Sequence, residues 1–474
     1  MLMDDFLRAA GEVCGADFVV AGAAIEPRYL QPARYAPGEA VALLRPATQD
    51  ELSLLLKLAA EAGLAVVPQG AHTGLVRAAT PSDGERHLLL STERLREHFE
   101  FDPLDRTLRV SAGYKLSEVN ERLAEHGLQF AIDLSADPSI GGMLAHNTGG
   151  TRMLRHGDVR ANVLGVEVAL ADGTLLRLGR GLQKDNAALP LQQLFVGSSG
   201  SLGLIGAATL RLQPLARQRA VALVAPATLA AVMPLYQRVM GGELAGLVSA
   251  FEGLSRAAFE AGLHGEGPGR WFEGQLPDYA LLIELASELP ATTLDLQALL
   301  QQWLESEFES GAVVDAVLGA DEACWALRHR ISEGLRAQGS VIGFDIALRR
   351  RHFMGFREQA TAWLAREFPP ARVADFGHLG DGGLHFNLVW PSSERALPDA
   401  EMARLRRGIY GLVTALGGSL SAEHGVGPQI QAYYQAFSDP ALLELSGRLQ
   451  SLFDPQRRLG LVDWGAAAAT SSDA

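Results

Sequence analysis

Along residues 40–214 the apolar positions fall into short runs, ALLRP, LAVVPQG, HLLLST, TLRVSAG and VLGVEVALADGTLL, separated by Gly-rich turns. Short apolar runs bounded by turn residues predict strands. Two segments, Thr48 to Gly63 and Ser117 to Gly127, instead repeat their apolar positions at helical spacing and predict helices. This is the pattern of an α+β domain with an unusual load of glycine loops.

After Pro214 the texture changes. AVALVAP, LAGLVSAFEG, YALLIELAS and GAVVDAVLG predict strands, interleaved with helices over Ala227 to Met240 and Thr292 to Phe308. Pro234 is expected to kink or shorten the first of these helices. Strand and helix in this order fit an antiparallel sheet with helices on one face, a ferredoxin-like domain. A long helix over Asp321 to Gln338, a strand at VIGFDIAL, a helix ending at Phe368, paired strands at RVADFGH and LHFNLVW, and a helix over Asp399 to Leu416 follow. The loop SLSAEHGVG and a helical tail come last, and the closing AAAATSSDA is expected to be disordered.

Composition narrows the function. With 474 residues, 48% of them hydrophobic, the chain can bury more than one core, and its net charge of −14 argues against a nucleic-acid surface. Two cysteines, Cys14 and Cys324, allow neither a disulfide framework nor a Cys-rich metal site, which suits a reducing, cytoplasmic setting. The amino terminus lacks the apolar segment of a secretory signal, and no run of about 18 apolar residues is present, so no transmembrane segment is expected.

Glycines at 70 and 74, 141 and 142, 149 and 150, and 197, 200, 203 and 206 expose backbone N–H groups that could approach phosphates closely. Any one of these loops could be a plain tight turn. Four in one domain suggest a large phosphate-bearing cofactor. A nicotinamide fold is the rival, but no G-x-G-x-x-G follows a strand, and no Asp or Glu lies between Ser201 and Gly242 to hold a ribose.

Two further loops carry chemistry. GHLGDGGLHFN puts His378 and His385 on either side of a glycine turn, with His385 and Asn387 on one face of a strand. SAEHGVG sets Glu423 beside His424. Each alone is as well explained by hydrogen-bonded structure or a solvated pair. Together, imidazoles and a carboxylate make a set for a divalent cation with open positions, suiting Zn²⁺, with Mn²⁺ or Fe²⁺ as alternatives.

The motifs PQGAHTGL, DLSADPSIGGMLAHNTGG, LRHGDVRANVLGVEVALADGT and LFVGSSGSLGLI resemble the FAD-binding loops of the p-cresol methylhydroxylase and vanillyl-alcohol oxidase type. Within that group the chain is most similar to the D-2-hydroxyglutarate dehydrogenases and their D-lactate dehydrogenase relatives, over about residues 40–462. The resemblance implies a two-subdomain FAD-binding domain over 38–215, a substrate-binding cap domain over 216–395, and a C-terminal segment, 396–474, returning to the flavin. It carries Gly70, Ala71, His72, Thr73 and Gly74 to the pyrophosphate, and Ile140, Gly141, Gly142, Asn147, Gly149, Gly150, Gly197 and Ile205 to the flavin. It assigns His378, His385 and Glu423 to the metal, His424 to general base catalysis, and Arg328 with Ser332, one helical turn apart, to the substrate carboxylate beside Asn387.

The implied reaction is FAD-dependent, metal-assisted oxidation of a D-2-hydroxy acid: His424 takes the hydroxyl proton and the hydride from C2 passes to the flavin. Electrons would then leave to an external acceptor, an electron-transfer flavoprotein, a quinone or a cytochrome, and a homodimer is compatible with this reading. The alternatives are a flavin oxidase using O₂ and a non-catalytic flavin-binding relative. Four departures from the family stand out: Ser199 where a Glu is usual, Gly383 where Asn is common, His72 where Asn or Gly is common, and Gly343 where the hydroxyglutarate enzymes carry a Lys. In more distant flavin oxidases a histidine in the loop of His72 is bonded to the flavin. Loss of the Lys weakens the electrostatic case for a dicarboxylate.

Overall fold

A computed structural model describes residues 2–465 apart from Glu85, Ser135 and Arg270. The segment AAAATSSDA, residues 466–474, lies outside the described residues. The chain divides into two units. The first takes the chain up to Gly149, Gly157–Pro214 and the stretch from Glu423 onward; the second takes Gly150–His156 and Leu215–Ala422.

The first unit contains two main sheets. In one, Ala42–Leu44, His87–Ser91 and Ala65–Gln69 run parallel, with Val19–Ala21 antiparallel at the edge. Parallel strands need a crossover, and the helix Gln49–Ala62 supplies it. Thr48 caps that helix by accepting from the Glu51 N–H at 3.1 Å, and Gly63 ends it in the left-handed conformation. These strands read as unbroken apolar runs because both faces are covered: Leu44, Val66 and Leu88 pack into one cluster, and Leu43, Val67 and Leu89 into another. The second sheet is antiparallel, in the order Phe99–Asp102, Thr107–Ser111, Leu204–Arg211, Val163–Ala169, Leu175–Leu178.

The second unit is built on one antiparallel sheet in the order Val313–Leu318, Gln218–Pro226, Tyr279–Ser287, Val248–Ser255, Phe376–Gly377, Gly383–Pro391, Gly339–Ala347, with Arg372–Val373 also paired to Gly383–Pro391. The expectation of helices on one face is corrected. Arg328 and Trp325, from the helix Asp321–Gln338, bond Glu252 and Glu284 on one face of the sheet. On the opposite face Tyr236 packs on Phe251, Phe356 on Phe386 and Tyr410 on Phe344. Both faces carry apolar side chains that need cover: Leu254, Leu282 and Val389 on the first, beside the buried acids, and Phe251, Phe344 and Phe386 on the second. Pro234 is accommodated in the first turn of the helix Val232–Gly241, where no intrahelical donor is missed.

Glu284, fully buried in the central strand, ties the short segment Gly150–His156 into this unit. Its carboxylate accepts from Arg152 at 2.7 and 3.0 Å, from the Ser249 hydroxyl at 2.6 Å and from the Trp325 indole at 2.8 Å. Burial alone would raise its pKa, but the bonds and charge of Arg152 hold it below the usual carboxylate range. Removing one partner of such a pair strands the other, at a cost of about 3–5 kcal/mol. Glu284→Ala is therefore expected to lower unfolding stability by about that much, measured by denaturant titration; a midpoint within experimental error of the parent would contradict it.

Candidate active site

In the first unit the predicted glycine loops converge. A Cβ on Gly70 would lie 2.0 Å from Ser139 Oγ and 3.6 Å from the Gly142 nitrogen, so the loop after Ala65–Gln69 sits directly against the start of the helix Ile140–His146. Ser139 caps that helix through the Gly142 N–H at 3.3 Å, and Gly141 leans on Ala112, where a Cβ would come within 2.7 Å. At the other end of the helix Asn147 adopts φ 49° and its amide ties Asp158 at 2.8 Å. Gly197, at φ 83°, has no room for a side chain between Asn147 and Arg160. A Cβ on Gly427 would lie 2.2 Å from the Val76 carbonyl, which brings the loop after Glu423 to the same loops. Gly74 faces open space, and Gly149 and Ile205 are buried within this unit. Small residues that let several backbones meet, with an open side at Gly74, fit a cradle for a large cofactor.

His72 sits in the first loop at φ 57° with both ring nitrogens engaged: Nδ1 lies 3.1 Å from the Arg28 carbonyl and Nε2 2.8 Å from Thr80 Oγ1. Burial lowers its pKa.

The second unit gathers a polar patch on the sheet face covered by the helix Asp321–Gln338. The rings of His378 and His385 are edge to face at 5.2 Å. The glycine turn that brings them together folds back on the His378 carbonyl, which accepts from the N–H groups of Asp381, Gly382 and Gly383 at 3.1–3.2 Å. A Cβ on Gly383 would lie 3.1 Å from Asp381 Oδ1, so the small residue here suits the tight turn. Asn387 is buried next along the strand and donates to the His385 carbonyl at 3.3 Å. Arg328 is 7% exposed, whereas Ser332, one turn later, is exposed, so the two do not share a common buried surface.

Two acids that sequence reasoning passed over organise this patch. Glu252, 1% exposed, accepts from Arg328 Nε at 2.7 Å and pairs with His378 Nδ1 at 2.5 Å. Burial pushes its pKa up, but His378 and Arg328 outweigh this and hold it at about 2. A carboxylate on Nδ1 fixes the orientation of the His378 ring. Asp345 stands directly across the sheet from His385, with Oδ1 3.7 Å from Nδ1, and accepts from Ser421 Oγ and the Ala422 N–H at 3.1 Å. It thereby holds the chain just before Glu423. Their only sequence signal was an acid inside an otherwise apolar strand, SAFEG and GFDIAL. Gly343 pairs with Asn387, and its carbonyl accepts from Arg406 at 3.5 Å.

Glu423 and His424 open the last segment of the first unit, with Glu423 Oε1 3.8 Å from His424 Nε2. Ser199, at φ 54°, donates its hydroxyl to the Val426 carbonyl at 2.9 Å.

Residues 40–179 match the family described as FAD binding domain, and residues 215–460 match FAD linked oxidases, C-terminal domain. The chain belongs to the FAD-linked oxidases. The mitochondrial D-2-hydroxyglutarate dehydrogenase of Bos taurus is 34% identical over 466 residues, covering 96% of this chain and 82% of that protein. The D-2-hydroxyglutarate dehydrogenase of Xanthomonas citri is 31% identical over 424 residues, covering 88% and 87%. Among solved structures, p-cresol methylhydroxylase with substrate bound superposes with a TM-score of 0.73 at 13% identity, covering 95% of this chain and 94% of that one, a likeness of fold. The fold class expected for an FAD-linked oxidase is thus the one observed, and the loops at Gly70–Gly74, Ile140–Gly142 and Asn147–Gly150 lie within the matched FAD-binding domain.

With both nitrogens of His72 already bonded to protein, noncovalent flavin is expected. Acid precipitation of the purified protein should release all the yellow colour into the supernatant; colour kept in the pellet would show a covalent bond.

Proposed function

We propose that this FAD-linked oxidase oxidises a D-2-hydroxy acid to the 2-oxo acid and passes the electrons to an external acceptor. The observation that carries this reading is the polar patch of the second unit, where His378, His385, Asn387 and Arg328 converge under the control of two buried acids, in a chain whose relatives are named D-2-hydroxyglutarate dehydrogenases.

Each residue has a distinct task. Arg328, fixed by Glu252, binds the substrate carboxylate; its guanidinium presents several donors, of which Nε is the one spent on Glu252. Asn387, with its carboxamide held by the His385 carbonyl, contacts the same group. Ser332, being exposed, has at most a peripheral part in this contact. His378, His385 and Glu423 would hold a divalent cation, Zn²⁺ by ligand type with Mn²⁺ or Fe²⁺ as alternatives, which would polarise the substrate oxygens. Asp345 orients His385 and the approach to Glu423. His424 accepts the proton of the 2-hydroxyl. FAD in the cradle formed by the loops at Gly70–Gly74, Ile140–Gly142, Asn147–Gly150, Gly197 and Ile205 supplies the two-electron acceptor.

Gly343 brings no side chain opposite Asn387, so this strand lends the patch no cation for a second carboxylate. A substrate with one carboxylate, D-lactate-like, is as well served as D-2-hydroxyglutarate. No described helix is long and apolar enough to cross a membrane. Cys14 and Cys324 are both buried and not joined in a disulfide, which supports a reducing, cytoplasmic location.

Anaerobic mixing with D- and L-2-hydroxy acids of both kinds tests the reading directly. D-isomers should bleach the flavin and L-isomers should not; bleaching by neither would overturn it. Thorough metal chelation should abolish bleaching while the flavin stays bound, and unchanged rates would remove the metal from the scheme. Replacing His424 by Ala should slow flavin reduction by about 10²–10⁴-fold, with near-normal reduction excluding it as the base.

A further inference from the structure

The reading of His424 as the base leaves open what aims it. Beside it lies His146, the last residue of the helix Ile140–His146. Its ring hydrogen-bonds the backbone of His424, while its Nδ1 is buried and meets no hydrogen-bond partner among the described residues. Gly425, at φ 78°, lies directly over this ring: a Cβ there would fall 2.9 Å from His146 Nδ1 and 3.8 Å from Ser199 Oγ. Ser199 grips the same turn, donating its hydroxyl to Val426, and is itself anchored beside His146 because its N–H donates to the Ala145 carbonyl at 2.7 Å. Residues 145, 146 and 199 thus hold the turn 424–426 at two points on its backbone.

We propose that His146, together with Ser199, is a positioning residue for His424, fixing the turn so that the His424 imidazole is aimed at the substrate hydroxyl. Burial, followed by the nearby charge of His424, pushes the His146 pKa down to about 4, so the ring acts as an uncharged tether at neutral pH. Ser199 also gains a role: at the position where a Glu is usual, a hydroxyl suffices to bond a carbonyl.

This rests on His424 being the base, and a double-mutant cycle separates the two claims. His146→Ala should slow flavin reduction at saturating substrate by about 10- to 100-fold, the scale of a misplaced reacting group, with KM, flavin content and flavin spectrum little changed. His146→Asn, which keeps a donor for the backbone, should recover most of that rate. In a His424→Ala background, His146→Ala should have no further effect. A normal rate in His146→Ala overturns the proposal, as does a slowing that persists undiminished in the His424→Ala background. If His146→Ala fails to fold, the same cycle with Ser199→Ala decides, a multiplicative effect overturning the proposal and its disappearance upholding it. A normal rate in His424→Ala alone would instead sink the base assignment.

Discussion

A carboxylate inside an antiparallel sheet is expensive unless it is fully paired, and Glu252 is the residue on which the polar patch turns. At 1% exposure it must be matched by charge, and it is matched by Arg328 from the covering helix and by His378 from the turn after the neighbouring short strand. Satisfying that one group fixes the helix against the sheet, the direction of the arginine fork and the orientation of one imidazole. Taking away any of the three would leave a buried charge without its full pairing, so packing and chemistry here share one requirement.

The same logic recurs beside it. Within the second unit, Glu284 uses Arg152, Ser249 and Trp325 to secure the segment Gly150–His156, which starts at the second glycine of the pair that the flavin reading employs. Asp345 uses the hydroxyl of Ser421 and the N–H of Ala422 to secure the residues directly before Glu423. In each case an acid on a strand holds a segment that borders residues with a functional assignment. Strands give the precision that a glycine-rich loop lacks.

Glycine does the opposite work in the first unit. Gly70, Gly141, Gly197 and Gly427 are places where a Cβ would strike a neighbouring loop, so several backbones approach one another closely. Such approach exposes amides to a phosphate-bearing ligand, and it explains why this domain spends so many glycines between its strands.

The sequence by itself determined the element types, the α+β class and the flavin family, and it singled out His378, His385, Glu423 and His424 as candidates, because periodicity and local motifs are written in neighbouring positions. The helix Asp321–Gln338 falls on its expected bounds for that reason. Tertiary structure alone decided what depends on residues far apart in the chain: that helices cover both faces of the second sheet, that Glu252 meets Arg328 and His378, that Asp345 stands across from His385, and that Ser332 is exposed while Arg328 is buried. An acid in an apolar strand looks the same in sequence whether it faces solvent or a buried arginine. Only the fold, by removing the water around it, turns that acid into an organiser of the site.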